Sequence, residues 1–519
     1  MQDNRMPVLN WIGKEAVVNH DKEVPFKLLK KVKSASVGEN SQNLIIHGDN
    51  LEALKALMPY YQGRVKCIYI DPPYNTGNEG WVYNDKVNSP KIKKWLGKVV
   101  GGESEDLCRH DKWLCMMYPR VRLLHSLLAN NGFIFISIDD NEMQNLKSIM
   151  DEIFQEENYV TTFVWNKKNV VQNDARFTSV NHEYVLCYIK KIKDNKFNLL
   201  PRTKELDARY TNPDNDPRGL WTSVALQAKS GSESNLYEIT FPNGVKWKPV
   251  SGTFPRLTKE SLQKAYDDGR LWFGGSGKNV PRLKKYLNEV KQGVVSNSIL
   301  TPSDVGSTQE AKETLKRILD KNVFETPKPL GLIKRFVLLS CEKDAIILDS
   351  FAGSGTTGHA VLDLNKEDGG NRKFILVELE DKVARDITAE RIKRAIKKYG
   401  YNDGFEYCEL DRPLFDENGQ IDKDCTFEQL ATYIYFTETK TNINKNTISK
   451  EFIGEHNDTE YYLLFNSIGK NILDRYFLKK IKNNGKTKII YADKCLVDER
   501  TLEKNKILFK QIPYEVKVY

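Results

Sequence analysis

Several common features are missing from these 519 residues, and each absence narrows the function. No stretch approaches the roughly 18 consecutive apolar residues of a membrane span. The opening MQDNRMPVLNWIGKE has no apolar core behind a basic flank, so a secretory signal is not expected and a cytoplasmic location is. The eight cysteines are scattered, with no CxxC and no Cys/His group at zinc-finger spacing, which argues against a disulfide framework and against a metal site. Gly274-Gly275-Ser276-Gly277-Lys278-Asn279 fails the spacing of a nucleotide-binding P-loop, so an ATPase or helicase site is unsupported. No internal repeat or low-complexity tract occurs. What remains is a globular chain long enough for two or three domains. Its net charge of +9 is compatible with a polyanionic partner.

The patterning is α/β. A strand is predicted over 43–47 (NLIIH), a turn at Gly48-Asp49-Asn50, a helix over 51–58 and a strand over 65–70 (VKCIYI) that runs directly into Asp71. A long amphipathic helix over 111–130 and a strand over 132–138, ending at Asp139-Asp140, follow. Such alternation implies a mostly parallel sheet covered by helices. Ligands of such sheets sit beyond the carboxyl ends of the strands, where Asp49, Asp71 and Asp139 all fall. From 166 to 322, turn clusters at 212–219 and 241–244 interrupt short aromatic strands, which reads as an inserted, loop-rich domain. The pattern then resumes with a helix over 330–339, strands over 345–348 and 374–377, and a basic helix over 381–398. The expected domains are therefore 1–165 and 323–400 as two parts of one unit, the insert 166–322, and a small α/β domain over 401–519.

Two motifs carry chemistry. Gly353 to Gly358 is a literal G-x-G-x-x-G between a strand and a helix, and Glu378 lies 20 residues beyond it. By rule this is a dinucleotide fingerprint, with the acid on the ribose hydroxyls, but the same geometry serves any adenosine cofactor. Asp349 at the strand tip would oppose a pyrophosphate yet attract an ammonium, while the helix N-terminus holds a carboxylate, which favours S-adenosylmethionine. A Gly-rich turn kept only for tight packing is the competing reading.

The second motif is Asp71-Pro72-Pro73-Tyr74. An exocyclic amine on a base is a poor nucleophile because its lone pair is delocalised into the ring. Two acceptors, the Asp71 carboxylate and the Pro72 carbonyl, can direct that lone pair outward. The double proline stiffens the turn, and Tyr74 offers a ring on which an extruded base can stack. A strand-ending Pro-Pro turn with an aspartate cap is the structural alternative.

At these residues the sequence resembles the amino-methyltransferases of restriction–modification systems, specifically the β-ordered N6-adenine DNA methyltransferases. In these the D-P-P-Y block precedes a recognition insert and the F-x-G-x-G block; here Asp71 and Asp349 are 278 residues apart. Thr326-Pro327-Lys328-Pro329 resembles the segment flanking the methionine end of the cofactor. Asp49 matches an acid near the adenine ring, and His182-Glu183-Tyr184 matches a block that holds the flipped base. The modification subunits of type III systems and their stand-alone relatives are the most similar subgroup. Supporting segments are Trp11-Ile12-Gly13-Lys14-Glu15, residues 71–83 and Arg109-His110-Asp111-Lys112-Trp113.

The resemblance covers roughly 8–400. It implies a Rossmann-like methyltransferase fold of permuted motif order and N6-adenine methylation of duplex DNA by base flipping in a prokaryotic, DNA-associated enzyme. Catalysis falls to Asp71, Pro72 and Tyr74, and the base pocket to Tyr74 and Tyr184. S-adenosylmethionine would be bound by Asp49, Asp71, Lys328, Asp349, Phe351, Ala352, Gly353, Gly355, Thr356 and Glu378. It also implies a homodimer, with a separate subunit for restriction. N4-cytosine methylation, or a subunit acting only within a restriction complex, are the alternatives; the Pro-Cys dipeptide of covalent cytosine-C5 chemistry is absent. Basic and aromatic residues of the insert, among them Lys167, Arg176, Arg218, Trp221, Trp247, Arg270 and Lys284, suit DNA contact as a group, although each alone is better read as surface or core.

Overall fold

The computed structural model describes residues 9–38, 41–76, 105–168, 170–171, 176–193, 195–321, 323–415, 420–443, 448–466, 471–481 and 483–512. Gly77 and the rest of the segment to Tyr83 lie outside the described residues. The chain divides into two compact units, Met1–Phe197 with Asn297–Tyr519, and Asn198–Ser296.

The first unit is built on a ten-stranded sheet. Its strands are β1 (Lys27–Lys31), β2 (Leu44–His47), β3 (Val65–Ile70), β4 (Leu128–Ile138), β5 (Tyr159–Asn166), β6 (His182–Ile189), β7 (Ile299–Leu300), β8 (Ile346–Asp349), β9 (Lys373–Glu378) and β10 (Glu406–Pro413). They lie in the order β1-β10-β2-β9-β8-β3-β4-β6-β5-β7. The six strands from β10 to β4 are parallel, and β6 runs antiparallel to both β4 and β5. Cys67, Ile68, Ile70, Ile347, Leu348, Leu376 and Val377 are fully buried, as strands covered on both faces must be.

Helices α1 (Asn50–Tyr61), α2 (Glu105–Leu127), α3 (Met143–Phe154), α4 (Leu330–Ser340), α5 (Thr356–Asp368) and α6 (Glu390–Tyr399) connect the strands. Asp49 starts α1 by accepting the Leu51 amide at 2.8 Å. Register is what positions the site. Ile347 pairs with Cys67 and Leu348 with Ile68, so Asp349 and Asp71 end neighbouring strands. Glu378 pairs with His47, which brings Glu378 beside the turn into Asp49. Residues far apart in sequence thus share one edge of the sheet.

The structure departs from the sequence reading at four places. Helix α2 ends at Leu127 and β4 begins at Leu128, because Leu128 already pairs with Val65; a register shift then hides the strand behind the exposed Asn130-Asn131 pair. The expected continuous helix over 381–398 is interrupted by a π-helical turn at Ala384–Ala389. The compact insert is shorter than 166–322, since β6 is an apolar run paired on both sides within the main sheet and β7 pairs with β5. β10 also belongs to the main sheet, so the C-terminal sheet of β11 (Phe452–His456), β12 (Thr459–Leu463), β13 (Thr487–Ala492) and β14 (Ile507–Gln511) begins well past residue 401.

The second unit carries an antiparallel sheet of Leu271–Trp272, Arg282–Tyr286 and Trp221–Ala225, and an apolar cluster around Leu226, Phe241, Trp247, Leu262 and Phe273. Among the described residues no helix is long and apolar enough to cross a membrane.

Candidate active site

β3 delivers Asp71 to the sheet edge, and the residues that follow are pinned from two sides. Trp113 of α2, fully buried, donates its indole N–H to the Pro73 carbonyl at 2.7 Å. Asn75, left-handed at φ 61°, donates to the buried Glu142 at the head of α3, which also receives His110 Nδ1 at 2.6 Å and Asn145 at 2.7 Å. Two prolines with fixed φ lead from the end of β3 into these anchors, so the tetrapeptide is rigid before any ligand arrives.

The Asp71 carboxylate is engaged at both oxygens. Tyr74 OH lies 2.8 Å from Oδ1, and Lys328 Nζ donates to Oδ2 at 2.5 Å. A second carboxylate faces them. Glu183, the second residue of β6, has Oε2 at 3.1 Å from Tyr74 OH and 3.5 Å from Lys328 Nζ, while Lys167 Nζ donates to its Oε1 at 3.0 Å. The Lys328 ammonium also stands 5.2 Å from the centroid of the Tyr74 ring. Two carboxylates and two ammonium groups therefore form one closely spaced, charge-balanced cluster. Burial pushes the Asp71 carboxyl above its usual range against the pull of Lys328, and the charge of Glu183 adds to the rise. For Glu183 burial acts in the same sense, but Lys328 and Lys167 outweigh it and hold the group below its ordinary value. Burial would discharge Lys328; Asp71 and Glu183 reverse that and keep it protonated.

Tyr184, the expected base-pocket residue, is not joined to this cluster. Its hydroxyl donates to Asp140 at 2.9 Å and lies 2.9 Å from His182 Nε2. Neighbours along a strand point to opposite faces, so the residue that meets Tyr74 is Glu183. The sequence signal for it was an acid at the head of an otherwise apolar strand.

At the tip of β8 the Gly-rich loop is held by its own carboxylate. Asp349 accepts the Phe351 amide at 3.0 Å and the Thr357 hydroxyl at 2.6 Å, and burial pushes its pKa up to about 7. Both oxygens expected to attract an ammonium thus have donors within the loop. Glu378 accepts the Gly353 amide at 2.8 Å and the Glu380 amide at 3.1 Å. Gly353 and Gly355 have φ of 49° and 75°, and a Cβ on Gly355 would stand 3.2 Å from Thr388, so a side chain there would be both strained and crowded. Phe351 and Ala352 are buried at the loop's base. Thr356 opens α5, and its hydroxyl donates to the Lys328 carbonyl at 3.1 Å, which ties the loop to the catalytic cluster.

Two further residues were not foreseen. Thr388, within the π-helical turn, donates to the Gly353 carbonyl at 2.6 Å, and the buried Arg391 donates to the Ser354 carbonyl at 3.1 Å and to Thr356 Oγ1 at 2.8 Å.

Asp49 lines a cavity of about 700 Å³ at the carboxyl ends of β2 and β9, with His47, Gly48, Leu379 and Asp381. Arg120 reaches both Asp49 oxygens at 3.2 Å, which fixes the acid at the cavity wall. These features fit an adenosine-bearing cofactor. The cavity is large enough for a nucleoside, carboxylates stand at the tips of β2 and β9, a helix N-terminus follows the loop, and the Ser350 hydroxyl is buried with no hydrogen-bond partner among the described residues.

Comparison with known proteins agrees with this geometry. A family model described as DNA methylase matches residues 65–390. The chain is 38% identical over 377 residues to the type III restriction-modification enzyme StyLTI Mod subunit of Salmonella typhimurium, covering 70% of this chain and 55% of that protein. It is 31% identical to the EcoP15I Mod subunit of Escherichia coli, over 78% of this chain and 71% of that protein. It is 29% identical to the type II methyltransferase M.KpnI of Klebsiella pneumoniae, over 72% of this chain and 89% of that protein. The chain thus spans about half the length of the Salmonella relative and about 70% of the E. coli one. With the family model running from β3 through the Gly-rich loop into α6, the chain belongs to the DNA methylase family.

Proposed function

We propose that this protein transfers a methyl group from S-adenosylmethionine to N6 of adenine in duplex DNA, at a specific sequence. The observation that carries the reading is the pairing of β3 with β8, which sets the Asp71 tetrapeptide beside the Gly-rich loop. The cofactor supplies an electrophilic methyl on a sulfonium. Asp49, Glu378, Phe351, Ala352, Gly353, Gly355 and Thr356, at the ends of β2, β8 and β9, would hold it. Asp349 keeps the loop shaped by its two internal bonds.

Asp71 and the Pro72 carbonyl accept the two hydrogens of the target amine, which restores its lone pair and aims it outward. Tyr74 supplies the stacking face for the extruded base. No proton needs to leave before transfer; once the carbon–sulfur bond has broken to leave a neutral thioether, the alkylated amine sheds one proton to the Asp71 carboxylate that it already faces, so the chain contributes position and charge rather than a strong base. Tyr184, bonded to Asp140 and His182, keeps a proposed part in holding the extruded nucleotide from the neighbouring position on β6.

The insert is read as the target-recognition element, and duplex DNA as the polyanion that the +9 charge serves. By likeness to the type III subunits the protein acts as a homodimer with a separate restriction subunit, in the cytoplasm of a prokaryote. Modification-sensitive sequencing of DNA from a host expressing the chain tests the reading. It is expected to find N6-methyladenine in one short motif; N4-methylcytosine in its place, or unmodified DNA, would refute it.

A further inference from the structure

The catalytic cluster contains a difficulty. Methyl transfer as proposed requires Asp71 to accept the target amine, yet Tyr74 and Lys328 already engage both its oxygens. The Lys328 ammonium on Asp71 would moreover oppose the positive charge that develops on the amine as it is alkylated. A carboxylate can accept more than two hydrogen bonds, so of the two occupants it is the Lys328 ammonium, by its charge, that has to withdraw.

Both have the same second acceptor. Glu183 Oε2 is 3.1 Å from Tyr74 OH and 3.5 Å from Lys328 Nζ, and Lys167 anchors the opposite oxygen at 3.0 Å. Lys328 Nζ needs to move only about 0.7 Å to reach normal charge-assisted bonding distance of Glu183. Its side chain is 9% exposed, so a carboxylate rather than water must receive it. We infer that Glu183 is a positioning residue: it takes the Lys328 ammonium when the amine of the target base docks on Asp71. The exchange keeps both lysines on a carboxylate and leaves the Asp71 charge to face the positive charge that develops on the amine. Asp71 gains the amine, Glu183 gains Lys328, and Lys167 holds Glu183 in place throughout. This inference rests on the methyl-transfer reading above.

A double-mutant cycle tests it, with single-turnover transfer of tritiated methyl to duplex DNA at saturating cofactor, and calorimetry of S-adenosylmethionine binding as the second readout. Glu183→Gln is expected to slow transfer by about tenfold or more while cofactor affinity stays within about threefold. In a Lys328→Met background there is no ammonium to move, so the same Glu183→Gln change should cost less than about threefold. A purely structural role predicts equal costs in both backgrounds, and that result overturns the inference.

If the double variant binds no cofactor, the acidic limb of the Glu183→Gln pH–rate profile decides instead. Lys328, Glu183, Tyr74, Tyr69 of β3 and, from the adjoining strand tip, Asp349 are the groups that face Asp71. Loss of the Glu183 charge and retention of Lys328 on Asp71 both favour the carboxylate, so the limb should move to lower pH; an unmoved limb contradicts the relay. A wild-type protein that transfers no label overturns the functional reading as well, whereas normal wild-type transfer with equal costs overturns the relay alone.

Discussion

Among the described residues, two lysines are buried against pairs of carboxylates, one in each compact unit, and the difference between them separates a strut from a site. Lys284 of the insert, 5% exposed, binds Asp214 and Asp216. Asp216 also accepts Arg218 Nε and Nη2 at 2.9 Å and the Tyr286 hydroxyl at 2.7 Å, and Asp214 accepts the Trp221 indole at 2.9 Å. Hydrogen bonds from Arg218, reinforced by Lys284 and Tyr286, hold the Asp216 carboxyl far below the usual range. Both acids come from one turn and their partners from that turn and the adjoining strands, so the network is closed and local. Lys328, 9% exposed, sits instead between Asp71 and Glu183, which reach it from the ends of two different strands of the main sheet. Its two bonds are unequal, at 2.5 and 3.5 Å, and Asp71 is 24% exposed. A closed network resists change; an unequal one next to an opening can be switched by a ligand.

The sharpest way to break the comparison is to neutralise one acid in each cluster. Asp71→Asn is expected to reduce single-turnover methyl transfer by about a thousandfold or more, with cofactor affinity by calorimetry nearly unchanged. Asp216→Ala should do the reverse. Breaking a buried, hydrogen-bonded ion pair costs roughly 3–5 kcal/mol, seen as a lower unfolding midpoint of the insert, while cofactor binding by the other unit persists. If Asp216→Ala leaves the midpoint in place, the strut is misassigned.

A pH experiment sharpens the contrast further. Asp349, 3% exposed, has a folded-state pKa near 7, above its unfolded value of 3.8. A carboxyl raised in this way contributes its full stability below about pH 4 and loses it as pH rises through 7, by up to ~4 kcal/mol. Asp349→Asn should therefore flatten the pH dependence of ligand-free stability between pH 4 and 8 and raise the melting temperature at pH 8. An unchanged slope would show that Asp349 ionises without penalty. The smallest effect is expected at the loop. Thr388→Val removes one hydrogen bond to Gly353, worth about 1 kcal/mol, and should weaken cofactor binding about fivefold in calorimetry without altering the rate at saturation.

How far the sequence could foretell this follows from where the information lies. β3, β8 and β9 were legible because buried parallel strands read as short apolar runs, and their ends were marked by Asp71, Asp349 and Glu378. The two motifs are local in sequence, so their residue types and spacing were visible too. Contacts between segments were not. Nothing near Lys328 announces that its ammonium meets Asp71, and choosing Glu183 over Tyr184 required knowing which strand face turns inward. The π-helical turn that presents Thr388 has no composition signature within a basic helical stretch. In the insert, basic and aromatic residues suggested a DNA-facing surface, yet Trp221, Trp247 and Lys284 are buried and Arg218 and Arg270 are tied into ion pairs. Arg176 is exposed, as are the further basic residues Lys246, Lys248 and Lys285.

The chemistry assigned to the open cluster is tested most directly by incubating duplex DNA with the protein and S-adenosylmethionine carrying a trideuterated methyl group, then digesting to nucleosides for mass spectrometry. The account predicts the heavy methyl on N6 of deoxyadenosine with the wild-type chain and with Asp216→Ala below its unfolding midpoint, and none with Asp71→Asn. Label on cytosine, or undiminished label on adenine after Asp71→Asn, would contradict it.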